Sequence, residues 1–294
     1  MKAERALPCD AATGVAAGTS YSVYAPRTGD GCETVVLIHG VGMQRSVWAP
    51  QVDALAARYR VIAYDMLGHG GSTLPTAAPT LDEYASQLEH LLDAMHVRQA
   101  HVVGHSMGAL VALEFALTRA DRTLSVVALN AVYDRSPGQR EAVMNRAAVL
   151  GDAPAQAGVD ATITRWFGDP VPAHLTRAAQ AVRELLLTVD PVGYARTYQL
   201  FARSDDAHIG RLSSLAVPAL FLTGECDANS NPAMSHAMAA AAPFGHAQVI
   251  ANERHMMNVT SPTQVNERLL QFLSDVSTTD IAAEQRSSGG GRHD

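Results

Sequence analysis

Short, nearly continuous apolar runs recur along the chain at 35–38, 61–64, 101–103, 124–129, 219–222 and 248–250. Runs of this length, rich in Val, Ile and Leu, are expected of parallel strands covered on both faces, where neither face needs to be polar. Longer segments at about 46–58, 81–96, 107–119, 231–242 and 262–274 carry helical patterning between them. The alternation predicts a doubly wound α/β fold around a parallel sheet. Residues 19–25 read as one more strand, on the antiparallel edge.

The rhythm breaks over 133–213, which is helical in pattern and holds no convincing strand. Turn residues punctuate it at Ser136-Pro137-Gly138, Gly168-Asp169-Pro170 and Asp190-Pro191. The pattern predicts a core of 1–132 and 214–276, interrupted by a helical cap over 133–213. The tail 277–294, with Ser287-Ser288-Gly289-Gly290-Gly291, is expected to be disordered. There is no internal repeat.

Composition narrows the function. With 294 residues and 47% hydrophobic content, the chain can bury a large core and is not of the disordered class. A net charge of −7 speaks against a nucleic-acid partner, which would need a basic face to displace counterions. Cys9, Cys32 and Cys226 are odd in number and far apart, so neither a disulfide framework nor a zinc site is indicated. No apolar run follows Met1-Lys2-Ala3-Glu4-Arg5, and none elsewhere could span a bilayer. A cytoplasmic protein without a membrane partner is expected. The histidines form no metal-binding spacing, so no metal is expected.

The chemistry concentrates at strand ends. Gly104-His105-Ser106-Met107-Gly108 is a G-x-S-x-G motif between a predicted strand and a predicted helix. In that context the serine is held on a tight turn at the carboxyl edge of the sheet. A serine hydroxyl needs a general base, itself oriented by a carboxylate. Asp227 follows the strand at 219–222, and His255 follows the last strand, so both reach the edge that carries Ser106. Glu225 is the competing acid. His105 is expected to turn away from the chemistry, His246 to lie at the opposite edge, and His69 to pack within its loop. For the oxyanion hole, one donor is the backbone N–H of Met107, after the nucleophile. The second comes from His39-Gly40-Val41-Gly42-Met43, with Val41 the choice and Gly42 the alternative.

Taken in order, H-G-V-G, D-M-L-G-H-G-G-S, G-H-S-M-G, G-E-C-D and a late R-H-M resemble the α/β-hydrolase superfamily over about residues 20–275. The resemblance implies a mostly parallel eight-stranded sheet flanked by helices, with a cap inserted after the sixth strand. Thr164-Arg165-Trp166-Phe167 and the segment from Asp190-Pro191-Val192 to Gly193-Tyr194-Ala195 are similar to the cap of the 3-oxoadipate enol-lactonase group. The implied activity is cleavage of a small carboxylic ester or lactone through an acyl-enzyme, without a cofactor. Carbon–carbon bond hydrolases, thioesterases and cofactor-free perhydrolases share the serine and remain open, as does a ligand-binding receptor on the same fold. Dehalogenases and epoxide hydrolases of this superfamily carry an aspartate in place of the serine. Trp48, Trp166, Phe167, Leu186, Tyr194, Tyr198 and Phe201 are candidates to line the substrate pocket or to pack structurally. Arg165 is a candidate partner for a substrate carboxylate, or for an intramolecular ion pair.

Overall fold

The computed structural model describes residues 11–27, 32–150 and 158–289, with side chains as far as Ser277. Cys9 and the tail residues 290–294 lie outside the described residues. The chain begins with an antiparallel pair, β1 (Ala11–Ala16) and β2 (Thr19–Tyr24). Then β3 (Thr34–Ile38), α1 (Ala49–Leu55), β4 (Arg60–Tyr64), α2 (Leu81–Ala94), β5 (Ala100–His105), α3 (Met107–Thr118) and β6 (Thr123–Leu129) alternate. Among the described residues, four α-helices follow before the sheet resumes: α4 (Pro137–Ala148), α5 (Val159–Phe167), α6 (Thr176–Thr188) and α7 (Pro191–Arg203). The chain ends with β7 (Ala219–Gly224), α8 (Pro232–Ala241), β8 (Gly245–Ile250), α9 (Met257–Thr260) and α10 (Pro262–Gly289).

The eight strands form one sheet in the order β1-β2-β4-β3-β5-β6-β7-β8. From β4 to β8 every pairing is parallel, and β2 pairs antiparallel with β4. Side chains alternate across a strand, so one apolar run feeds two cores. Val36, Ile38, Val102 and Val126 pack on the side of α2, α3 and α8. Val35, Leu37, Val103 and Val127 pack on the side of α1 and α10. This is why the runs show no polar alternation.

β8 begins at Gly245 rather than at 248, and three further elements differ from the pattern in the sequence. The segment expected as one helix over 46–58 is a 3₁₀ turn, Arg45–Trp48, followed by α1, because Pro50 suits a first helical turn and not a helix interior. β1 has the small-residue sequence AATGVA and a mostly exposed edge position, and so carries no apolar run to read. α10 continues past Ser277, where the disordered tail was expected to begin. Among the described residues, no helix is long and apolar enough to cross a membrane.

The start of α3 lies against the end of β3. A Cβ on Gly108 would sit 2.3 Å from the Ile38 carbonyl oxygen and 2.5 Å from that of His39. Backbone cannot move aside as a flexible side chain can. Gly→Ala inside a helix ordinarily stabilises by about 0.5–1 kcal/mol. Here Gly108→Ala is expected to destabilise instead, by about 1–3 kcal/mol from overpacking. A thermal melt should show a midpoint lowered by several degrees, and an unchanged or raised midpoint would contradict the packing argument.

Candidate active site

Ser106 is the first residue after β5 and caps α3. Its backbone is left-handed in φ (φ 55°, ψ −114°), a conformation that costs a non-glycine residue about 1–3 kcal/mol. Three hydrogen bonds hold it there. Its N–H donates to the Leu129 carbonyl at 2.8 Å, and its own carbonyl accepts from Ala109 at 3.0 Å and Leu110 at 3.3 Å. A Cβ on Gly104 would meet the Gly108 carbonyl oxygen at 2.0 Å, so only glycine lets the strand end and the helix start come this close. The turn and the helix N-terminus place Ser106 where a developing negative charge is favoured.

His255 and Asp227 meet in the loops beyond β8 and β7. The His255 Nδ1–H donates to Asp227 Oδ2 at 2.8 Å, with both side chains buried. That bond fixes the tautomer and leaves Nε2 as the basic nitrogen. Asp227 Oδ2 also accepts from Asn130 Nδ2 at 2.8 Å, and Oδ1 accepts from the Asn229 N–H at 2.8 Å. Burial pushes the Asp227 carboxyl up. The facing His255 charge and the bonds from His255, Asn130 and Asn229 outweigh burial and hold it below the usual aspartate value. Glu225, the competing acid, is exposed and bound to the Asn252 N–H at 2.9 Å instead.

Two residues of this site escape sequence reading. Asn130 is the first residue after β6 and has a left-handed conformation (φ 51°), with its N–H on the Leu222 carbonyl at 2.9 Å. The Ser230 hydroxyl donates to its carbonyl at 2.7 Å, which locks the amide onto Asp227. His105 does not turn away from the site as expected. Its Nε2–H donates to the His255 carbonyl at 2.8 Å, and burial lowers its pKa to about 3, so it stays neutral. A neutral ring at the elbow thereby ties the neighbour of Ser106 to the backbone of His255. His105 occupies a variable position of the G-x-S-x-G motif and Asn130 none, and neither role is written locally, because each depends on loops distant in sequence.

The loop after β3 is organised by two more neutral histidines. His39 donates from Nδ1 to the Gly40 carbonyl at 2.8 Å and accepts the Met66 N–H on Nε2 at 3.0 Å. His69 donates from Nδ1 to the Leu67 carbonyl at 3.1 Å and accepts the Gly42 N–H on Nε2 at 3.0 Å. Burial lowers their pKa values to about 4 and about 3, which keeps each Nε2 available as an acceptor. The Gly42 N–H is thus committed to His69, and the Met43 N–H to the Gly40 carbonyl at 3.1 Å. Val41 remains the loop's candidate donor, beside Met107 at the first position of α3, where a helical N–H has no intrahelical acceptor.

A cavity of about 170 Å³ opens over Ser106 and His255, with Val41 in its wall. Of the residues expected to line it, Arg165, Trp166, Tyr194, Tyr198 and Phe201 do so. The Trp166 ring lies 5.4 Å from that of His255. Trp48 and Phe167 do not reach the cavity. Trp48 is fully buried with its ring edge-on to His105, and Phe167 packs in the core on the α1 side. Leu186 lines a neighbouring cavity of about 200 Å³ within the helices between β6 and β7. Arg135 and Arg146 line the first cavity and were not expected, since α4 and the turn before it carry no recognisable pattern. Among the described residues, no cluster of side chains is suited to a metal ion.

Residues 35–268 match the family model described as the alpha/beta hydrolase family. The chain is 37% identical over 241 residues to (E)-2-((N-methylformamido)methylene)succinate hydrolase of Acinetobacter baylyi, covering 82% of this chain and 90% of that protein. It is 28% identical over 243 residues to 3-oxoadipate enol-lactonase 1 of the same organism, covering 82% and 86% respectively. Among solved structures, the enol-lactonase of Burkholderia xenovorans superposes with a TM-score of 0.80 at 27% identity, covering 90% of this chain and all (100%) of that one.

The bond from Asn130 favours the charged form of Asp227, so its loss raises the carboxyl's pKa. Asn130→Gly removes the amide while keeping the left-handed backbone accessible. With His255 oriented by an ionised Asp227, the acid limb of the kcat/KM profile should move to higher pH. The plateau should fall about 10-fold, the scale of one lost hydrogen bond to a charged group. A variant whose acid limb stays in place would rule out this role for Asn130.

Proposed function

The chain belongs to the alpha/beta hydrolase family and is a hydrolase; from that premise we propose that it cleaves a small carboxylic ester or lactone through an acyl-enzyme on Ser106. The observation that carries this reading is the buried His255–Asp227 bond at 2.8 Å, in a cavity that His255 shares with Ser106. In the first step Ser106 Oγ attacks the substrate carbonyl carbon while His255 Nε2 takes the hydroxyl proton. Negative charge builds on the carbonyl oxygen, which accepts from the Met107 and Val41 N–H groups. The C–O bond to the leaving alkoxide breaks, and His255 returns the proton to that oxygen. Water then enters, loses a proton to His255, and attacks the acyl carbon. The proton goes back to Ser106 as the acid departs. Asp227 stabilises the imidazolium in both steps and stays ionised throughout. This sequence uses no cofactor.

The geometry favours catalysis over a ligand-binding role. A receptor has no need for a serine held in a strained turn or for a base with a buried, hydrogen-bonded carboxylate. The 37% identical relative named for a formamido-methylene succinate supports a second reading. On that reading Ser106 and His255 act on a substituted succinate rather than on a simple ester. The enol-lactonase relatives support the lactone reading.

Ser106→Ala is expected to lose p-nitrophenyl acetate hydrolysis by at least about 10³-fold. A fluorophosphonate probe should label the unaltered protein and not the variant. Near-wild-type turnover by the variant would sink the assignment. A panel of esters, lactones, thioesters and vinylogous diketones separates the bond types: a preference for thioesters or diketones would replace the ester and lactone reading.

A further inference from the structure

Arg135, Arg146 and Arg165 line the cavity over Ser106, and among the described residues no Asp or Glu lines it. They are not equivalent. Arg135 is paired with the buried Asp205, which its Nη1 approaches to 3.3 Å, which accepts its backbone N–H at 3.0 Å, and which it shares with Arg140 at 2.8 Å. Its Nη1 additionally donates to the Phe201 and Ala202 carbonyls at 3.3 Å each, and its guanidinium stacks 4.7 Å from the Phe201 ring. Arg135 thus has a carboxylate partner within the protein.

Arg146 and Arg165 do not. Arg146 Nε donates to the Tyr198 hydroxyl oxygen at 3.1 Å, and Arg165 Nη2 to the Thr162 hydroxyl oxygen at 3.2 Å. Both of these partners are neutral. Among the described residues, neither guanidinium has a carboxylate within ion-pair distance. The Arg165 Nε is buried and has no hydrogen-bond partner. Burial lowers the Arg165 pKa, and the positive charge of Arg146 lowers it further. An arginine does not lose its proton at ordinary pH, so this cost persists until an anion arrives. The two side chains also line the neighbouring cavity, so they stand where the two cavities meet.

We propose that Arg146 and Arg165 together bind a free carboxylate of the substrate, so that the preferred substrate is an ester or lactone carrying a second, unesterified carboxyl group. The proposal rests on the reading of Ser106 as nucleophile only for the bond that is cleaved. The anion site follows from the two unpaired guanidinium groups. A planar carboxylate offers two oxygens to guanidinium donors, and the buried Nε of Arg165 is a donor waiting for one. Tyr198, which already holds Arg146, keeps that side chain over the cavity. The specificity it confers is for charge. A neutral ester of equal length leaves both guanidinium groups without an anion, whereas the half-acid supplies one.

The test compares monoethyl adipate with ethyl hexanoate by pH-stat titration of the released acid. The unaltered enzyme is expected to favour the half-acid by at least about 10-fold in kcat/KM. Arg146→Gln and Arg165→Gln should each reduce that preference by at least about 10-fold. Arg183→Gln, which lies outside both cavities, should retain it. Glutarate should raise the melting temperature of Ser106→Ala protein, and the rise should vanish when either arginine is also replaced. Because the melt needs no turnover, glutarate stabilisation in a protein that fails the fluorophosphonate test leaves the anion site standing while the hydrolytic reading falls. A wild-type enzyme indifferent to the second carboxylate, or arginine variants that keep the preference, would overturn the proposal.

Discussion

The site depends on one steric constraint: the start of α3 is packed against backbone on two sides, with no room for a side chain. Gly108 faces the carbonyls of Ile38 and His39, and Gly104 faces the carbonyl of Gly108. The first contact sets the distance between α3 and the exit of β3, where the Val41 loop begins. The second sets how sharply the chain turns at Ser106. Ser106 and the candidate oxyanion donors are therefore positioned by the same two close approaches. The strain at Ser106 is the consequence, and the Leu129 carbonyl on the neighbouring strand holds it in place. A sheet with parallel strands buried on both faces is rigid enough to bear that strain, because neither end of the turn can relax without disturbing a core.

Buried neutral histidines carry the constraint outward. His39 bridges the first turn of the Val41 loop to the loop after β4, and His69 returns a bond from that loop to Gly42. His105 joins the elbow to the backbone at His255. Each uses one nitrogen as donor, and His39 and His69 use the other as acceptor, which only a neutral ring can do. Their folded pKa values lie below the free value of about 6.5. The unfolded chain therefore binds more protons below that value, and stability falls as pH drops from there toward about 4. Asp227 works in the same direction at lower pH, since its depressed pKa stabilises the fold only while it stays ionised.

Ser106, Asp227 and His255 could be read from the sequence because each follows an apolar strand, and strand ends in such a sheet share one edge. The two cores were legible for the same reason. What could not be read has a common physical cause. β1 buries too little apolar surface to leave a pattern. Asn130 matters through a bond to a residue 97 positions away, and His105 through one to a residue 150 positions away, so no local spacing encodes them. Trp48 and Phe167 were candidates for the pocket as large aromatic side chains near it, but size alone does not distinguish a wall from a core. Burial against His105 and against the α1-side core decides both. What separates Val41 from Gly42 is likewise distant in sequence: the Gly42 N–H is bound to His69, in the loop after β4.

The contrast among the cavity's arginines shows how the helices between β6 and β7 differ in task from the sheet. Within the sheet and its loops, buried charge meets a partner: Asp227 has His255 and Asn130, and Glu114 on α3 has Arg211 at 2.8 Å. Arg135, at the start of the inserted helices, follows that rule through Asp205. Arg146 on α4 and Arg165 on α5 break it on the side that faces the cavity. A buried cation without a counter-ion costs stability, whereas removing it or pairing it relieves that cost. Arg135 is paired, whereas among the described residues the two arginines proposed to meet the ligand have no carboxylate partner. On that proposal discrimination falls to α4 and α5, which are separate elements from the strand ends that carry Ser106, Asp227 and His255.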